Sequence, residues 1–460
     1  MFLLLAASCG RSDSNKSSSA TTAAPAASSD GVLGAVNIDK ACKSAALKAT
    51  EVGVSATEIT ISVMADTGSP LAPGIFQGDV DAITGYAKYI NAHGGVGCRK
   101  VVVRTWDSKF NPPEVKNGQL DACVNSLAMV GDNSVFNPDP TAMEGCKDQA
   151  GAATGIPNVA AFAVDTNEMC SPVTIGVNTR AEACPIAKET DRDFVRIAGP
   201  SKKVLELHPG LHGVYLGNGD LPSTKVSAIP DIAAQEKVGI TWDAKLVNSA
   251  TEPQAAYVPR VNYLKSGSNF VYGATSDTAL VAFRKEAIAQ GVDSSKVVWE
   301  CIVSCYTKRF LTTGASAVEG TYVWVPFVPL EEVASNPALK AFVTSVGEDK
   351  VDTWGVMSWQ AAIAFQQVVN KIVADQGPNA ITRAAVLKGL KAMKDFDAAG
   401  ISGPRSLGGT SPCYVLLQVK GNKFTRAWPK KPGTLDCDPG NLATVNTNPE
   451  KLSATDLRQS

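Results

Sequence analysis

The chain is short of histidine, with three in 460 residues, so beside its 11 cysteines it has a poor inventory for a zinc site. It has almost no net charge: Lys plus Arg number 43 and Asp plus Glu 44. That balance gives no general electrostatic reason to bind nucleic acid or an anionic membrane surface. Beyond the N-terminus no run reaches the ~18 apolar residues of a membrane-spanning helix. Enzyme motifs are equally scarce. His208 and His212 are four apart, but Pro209-Gly210 between them prevents the helix that would align them, and no HExxH glutamate follows. Gly217-Asn-Gly-Asp-Leu-Pro222 opens like a dinucleotide loop, yet proline stands where the third glycine belongs. Walker loop, Gly-x-Ser-x-Gly elbow and EF-hand loop are all missing. What is present is bulk: 44% apolar residues and about three times the ~150-residue domain prior, enough for more than one buried core.

Cysteine is the informative residue. In MFLLLAASCG, an apolar stretch runs through Ala6-Ala7-Ser8 into Cys9. This resembles the lipobox of bacterial lipoproteins, whose leader is cleaved and whose Cys carries the lipid. Residues 1–8 then read as the remnant of a signal peptide. Their shortness and lack of a basic residue point to a start codon further upstream. Residues 9–54 follow as the lipidated Cys and a flexible linker. Within it, 11–30 holds seven Ser, five Ala and two Thr, a composition that builds no core. Ten cysteines are left, enough for five disulfides in an oxidising compartment. Cys301 and Cys305 are near enough for a local bridge, the competing reading being half of a zinc site. Cys413 and Cys437 are placed to tie a C-terminal extension, 431–460, to the body of the protein.

From Glu58 the chain alternates short β-branched runs with longer amphipathic stretches, the pattern of parallel sheets covered by helices. Strands are expected at 58–64 and 100–106 and near 127–131, 158–162, 213–216, 245–247, 270–273, 296–300 and 321–325. Phe76, Val80, Ile83, Ala87 and Ile90 recur at helical spacing, and further helices are expected near 183–197, 277–290, 354–374 and 382–394. So many units exceed one ordinary sheet. The fold class is therefore α/β, with two doubly wound parallel-sheet lobes.

Tyr89–Lys100 (YINAHGGVGCRK), Asp107, Pro112-Pro113-Glu114 and Cys123 resemble the N-terminal lobe of the periplasmic leucine/isoleucine/valine-binding proteins. Leu71-Ala-Pro-Gly74, Gln77-Gly-Asp79, Ile156-Pro-Asn-Val159, Glu319-Gly320 and Trp359-Gln-Ala-Ala362 follow in that family's order. The similarity covers roughly 55–428, strongly in the first third and weakly in the middle. It implies the type I periplasmic-binding clamshell, with two lobes joined by three crossovers. Lobe one would comprise 55–175 plus 326–400 and lobe two 176–325 plus 401–430, hinged near Gly176, Pro326 and Gly400–Gly403. It also implies a Cys98–Cys123 disulfide, leaving Cys42, Cys146, Cys170 and Cys184 with three possible connectivities.

Ligands of such sheets bind beyond the carboxyl ends of the strands. The candidates on lobe one are Ser69, Gln77, Asn133, Ser134, Phe162 and Ala163. Hydroxyls and helix N-termini among them would grip a carboxylate without an Arg, as the resemblance implies. Gln77 stands where the family often has an aromatic ring. On lobe two the candidates are Asp220, Thr275, Asp277, Glu300 and Tyr306, with Asp220 or Glu300 to meet an ammonium group. Trp299 and Trp354, with Phe162 and Tyr306, are candidates to line an apolar pocket. For each of these residues an ordinary cap, turn or core role is the plain alternative.

The expectation is a monomeric, extracytoplasmic, Cys9-anchored lipoprotein. It would close on a small polar solute, a branched-chain amino acid, amide or related carboxylate, and deliver it to a membrane ABC permease. It would use no cofactor or metal and bind no nucleic acid. A ligand-sensing receptor subunit of the same fold is the alternative, and a secreted hydrolase a third.

Overall fold

The computed structural model describes residues 31–68, 74–178, 184, 191–219, 222–249, 252–448 and 458–459. Five parallel strands make the first sheet: β1 (Glu58–Ala65), β2 (Lys100–Asp107), β3 (Ala128–Asp132), β4 (Asn158–Ala160) and β5 (Thr174–Gly176). They lie in the order β2-β1-β3-β4-β5. β1 and β3 are buried almost throughout, as interior parallel strands covered on both faces must be. β2, at the edge, is largely exposed or half-exposed. Helix Gln77–Ala92 buries Ile83, Ala87 and Ile90, so the apolar stripe read from the sequence does face the core. Helix Thr353–Gln376 is buried over most of its length because it is wedged between the first sheet and its neighbouring helices.

The strands after β5 are β6 (Arg192–Ile197), β7 (His212–Asn218), β8 (Thr241–Asn248), β9 (Phe270–Ala274), β10 (Val298–Cys301), β11 (Tyr322–Val325), β12 (Val415–Lys420), β13 (Lys423–Trp428), β14 (Leu442–Thr447) and β15 (Arg458–Gln459). The second sheet runs β13-β12-β11-β10-β9-β7-β8-β15. β12 pairs antiparallel with β11 and with β13, and the other pairings are parallel. Parallel order with helical crossovers in both sheets gives the expected doubly wound architecture.

Three stretches pass between the sheets and lie side by side. The Val328 amide donates to the Ile401 carbonyl at 2.8 Å, and the Gly408 amide to the Gly176 carbonyl at 2.9 Å. Phe327 and Ser402 pair as an isolated antiparallel bridge. The expected hinge segments thus form one hydrogen-bonded group.

Several expectations are corrected. The stretch expected as a helix over 183–197 contains β6, which pairs antiparallel with β14. Phe194 is buried there and its neighbours Asp193 and Val195 are not, an alternation of period two that the helix reading overlooked. Of the rest of that helix only Cys184 and Asp191 are among the described residues. The segment 31–54, expected to be linker, is bound to the first lobe. Gln366 and Gln367 donate to the carbonyls of Val32 and Leu33, and Arg99 to that of Lys48. The Cys98–Cys123 bridge is replaced by two others, Cys42–Cys98 and Cys123–Cys146, with Cα separations of 5.4 and 5.2 Å. Cys98 sits in the turn leading into β2, where the N-terminal segment reaches it. Cys123 ends a helix, Pro112–Asn125, that packs on Thr141–Glu144 beside Cys146. Cys170 pairs with Cys184. Cys301–Cys305 and Cys413–Cys437 are bridged as expected. No helix among the described residues is long and apolar enough to cross a membrane.

Candidate functional site

In the first sheet the strand order reverses between β1 and β3, and in the second between β7 and β9. Crevices open at such reversals, beyond the carboxyl ends of the strands. At the first, Asn133 and Ser134 follow β3 and are buried. The Asn133 amide donates to the Met64 carbonyl at 2.9 Å, and its Nδ2 to Asp79 Oδ2 at 3.2 Å. Ser134 Oγ is buried without a hydrogen-bond partner. Phe162 is half-buried with its ring 5.5 Å from Trp354, and Ala163 is buried beside it. Gln77, the exposed first residue of its helix, donates to Asp81. Phe76, the residue before it, is buried with its ring 4.9 Å from Trp354. Ser69 lies outside the described residues.

At the second crevice, Thr275 Oγ1 donates to Asn248 at 3.0 Å. Asp277 is held by Arg309 through two bonds of 2.6 and 2.9 Å and by Thr307 at 2.7 Å, so its charge is already answered. Tyr306 donates to Glu331 and accepts from the Leu330 amide at 2.8 Å. Asp220 lies outside the described residues. Glu300 does not join this group. It is fully buried, and Ser201 on helix Gly199–Leu207 donates to it at 2.8 Å. Burial pushes its carboxyl up to about 8, making it a poor partner for an ammonium group near neutrality. Trp299 likewise packs in the second lobe's core, edge-on to Phe283 at 5.3 Å.

Two cavities lie where the lobes meet. One, of about 90 Å³, is lined by Phe162 and Met357 from the first lobe and Tyr272, Ile302 and Trp324 from the second, with Asn178 and Arg405 from the crossovers. Of the sequence candidates only Phe162 belongs to it. The other, about 530 Å³, lies between 343–352 and 306–311 and includes Tyr306, Glu331 and Asp352. Asp352 caps helix Thr353–Gln376 by accepting from the Gly355 amide at 2.8 Å. Burial raises its carboxyl to about 6. Its Oδ1 lies 2.0 Å from where a Cβ on Gly78 would stand, so glycine is required at that contact.

Sequence reasoning missed the buried acids behind the crevice. Asp79 accepts from Ser358 at 2.5 Å, and burial holds its carboxyl well above the usual range. Asp132 and Glu168 both accept from Asn158 Nδ2, at 3.3 and 3.1 Å. Burial, reinforced by neighbouring acids, raises both carboxyls. It missed Arg405 as well, since an arginine after Gly403-Pro404 reads as a surface residue. No group of three or more His, Cys, Asp or Glu among the described residues is arranged to hold a metal ion.

Solved structures share the fold over most of the chain. A leucine-binding protein from Thermotoga maritima is 13% identical, with a TM-score of 0.59, covering 86% of this chain and 100% of its own. An ABC transporter substrate-binding protein from Aeropyrum pernix is 11% identical, TM-score 0.62, covering 83% and 97%. The fold is that of the type I periplasmic-binding proteins. A fatty acid ABC transporter substrate-binding protein from Thermomonospora curvata is similar too, 15% identical with a TM-score of 0.60 over 89% and 97%. In sequence, residues 232–423 match the family model described as periplasmic binding protein. That span takes in the middle of the chain, where the motif resemblance is weak. No curated protein matches in sequence.

Proposed function

We propose that the protein is an extracytoplasmic solute-binding protein that captures a small polar solute by lobe closure and presents the closed form to an ABC importer. On this reading Cys9 carries the lipid anchor, the protein works as a monomer, and binding involves no chemical conversion. Lobe one is 55–175 plus 326–400 together with the packed segment 31–54. Lobe two is 176–325 plus 401–430. Asn133, Ser134, Phe162 and Ala163 would hold the solute from one side and Thr275 and Tyr306 from the other. Ser69 and Asp220 are assigned to the same cleft by their places in the sequence.

The observation that supports capture by closure is the small cavity beside three adjacent crossovers, walled by residues of both lobes; of the residues just named only Phe162 lines it, the others following the strand ends on either side. A solute touching both walls stabilises the closed form by its differential affinity for that form, and by no more. A thermal-shift screen of amino acids, amides and short carboxylates tests it. At least one class is expected to raise the melting temperature in a concentration-dependent way. Ser134→Ala is expected to weaken the best hit. Unchanged affinity would remove Ser134 from the site, and a screen without any shift would count against solute capture.

A further inference from the structure

Hydrogen-bond donors without acceptors gather at the crossovers. Arg405 is 6% exposed. Its Nη2 donates to Asn178 Oδ1 at 3.3 Å and Gln360 Oε1 at 3.2 Å, while its Nε and Nη1 have no partner. Because Asn178 and Gln360 present their oxygens to the guanidinium, their amide nitrogens are left over as donors. Both nitrogens are buried without a partner as well. Four other buried arginines, Arg99, Arg260, Arg284 and Arg383, each donate through both terminal nitrogens, although Nε of the last three is unpartnered as in Arg405. Donors left unpaired away from water are costly, and a charged one most of all. Burial also pulls the Arg405 guanidinium down to about 10, with the charge of Asp397 opposing.

Arg405 and Asn178 line the 90 Å³ cavity, whose walls are otherwise mostly apolar, among them Phe162, Ile302, Trp324 and Met357. A second cation in the wall, Arg196, is bridged to Asp231 at 3.1 Å. That bridge engages the one acidic residue of the lining. An ammonium group would therefore enter a wall whose carboxylate is already answered, whereas an anion would find unanswered donors directly behind the wall, sealed from the cavity in this conformation.

We propose that this cavity takes the carboxylate of a small organic acid whose remainder is apolar and uncharged, its oxygens bound by Arg405 with Asn178 and Gln360 beside it. The proposal rests on the solute-binding reading and narrows its ligand from amino acids to simple carboxylic acids. The unpartnered nitrogens are shielded from solvent in this conformation, so the acid enters while the lobes are parted and meets its donors as they shut. A planar carboxylate suits a guanidinium that still has Nε and a terminal nitrogen free.

Calorimetric titration of the protein with butyrate, isovalerate and benzoate, and with the three matched primary amides, tests this. At least one acid is expected to bind ten times more tightly than its amide. Arg405→Gln is expected to lower that affinity at least tenfold, and Asn178→Ala by a few fold. If Arg405→Gln does not fold, the acid-to-amide ratio and Asn178→Ala decide. Amides binding as well as acids, no acid binding, or a folded Arg405→Gln variant within twofold of the parent would each overturn the proposal. So would chloride alone competing as strongly as an acid, which would mark an inorganic anion site. Leucine binding with lobe closure and without dependence on Arg405 would also overturn it, while leaving solute capture intact. Failure of every compound to close the lobes would count instead against solute capture itself.

Discussion

The backbone amide of Gly408 donates to the carbonyl of Gly176 at 2.9 Å, fastening the third crossover to the first. Gly408 holds φ at +79°, and a Cβ there would meet nothing within 4 Å. The cost of Gly408→Ala is therefore backbone strain alone, about 1 kcal/mol. Calorimetry should show a melting temperature lower by a few degrees with the enthalpy nearly preserved. An unchanged melting temperature would mean that the segment relaxes freely and does not constrain the hinge.

Buried carboxyls make stability depend on pH. Burial raises Glu300 to about 8, and it raises Asp132 and Glu168 as well. In the unfolded chain these groups ionise near pH 4. Between about pH 4 and 8 the folded state therefore binds more protons, and stability falls as pH rises through that window. The melting temperature is expected to be higher at pH 5.5 than at pH 8.5. Glu300→Gln, which keeps an oxygen to accept from Ser201, should reduce the stability difference between those two pH values by on the order of a few kcal/mol. A variant with the parent's pH profile would show that Glu300 is ionised and solvated in the folded protein.

The Cys42–Cys98 bridge closes a loop with a sequence separation of 56, for which loop-closure entropy predicts about 4 kcal/mol. Replacing both residues with Ser should lower the melting temperature and open 31–54 to limited proteolysis before the rest of the chain is cut. If 31–54 stays as resistant as in the parent, its backbone bonds to Gln366, Gln367 and Arg99 suffice to hold it.

Much of the fold is legible in the sequence because burial leaves a period. EITISVM and KVVVRTW announce β1 and β2, and the stripe from Phe76 to Ile90 announces the helix between them. What was not legible depends on contacts between distant segments. β6 is a strand because β14, more than 240 residues later, pairs with it. Cys98 and Cys123 choose partners by packing, and their spacing does not fix the choice. In the candidate site, Asn133, Ser134 and Phe162 are proposed from the sequence because loops after parallel strands are where ligands meet such sheets. Glu300 was misread because it lies within β10, where the side chain alternates into the core instead of following the strand into a loop. Arg405 left no local signal at all. Its burial depends on Gln360 and Asn178, which come from other parts of the chain.

Small-angle X-ray scattering, with and without the best ligand from the thermal-shift screen, tests lobe closure most directly. At saturation the radius of gyration is expected to fall and the longest interatomic distance to shorten, reversibly on dialysis. Superimposable curves at full occupancy would contradict a protein that works by shutting its lobes.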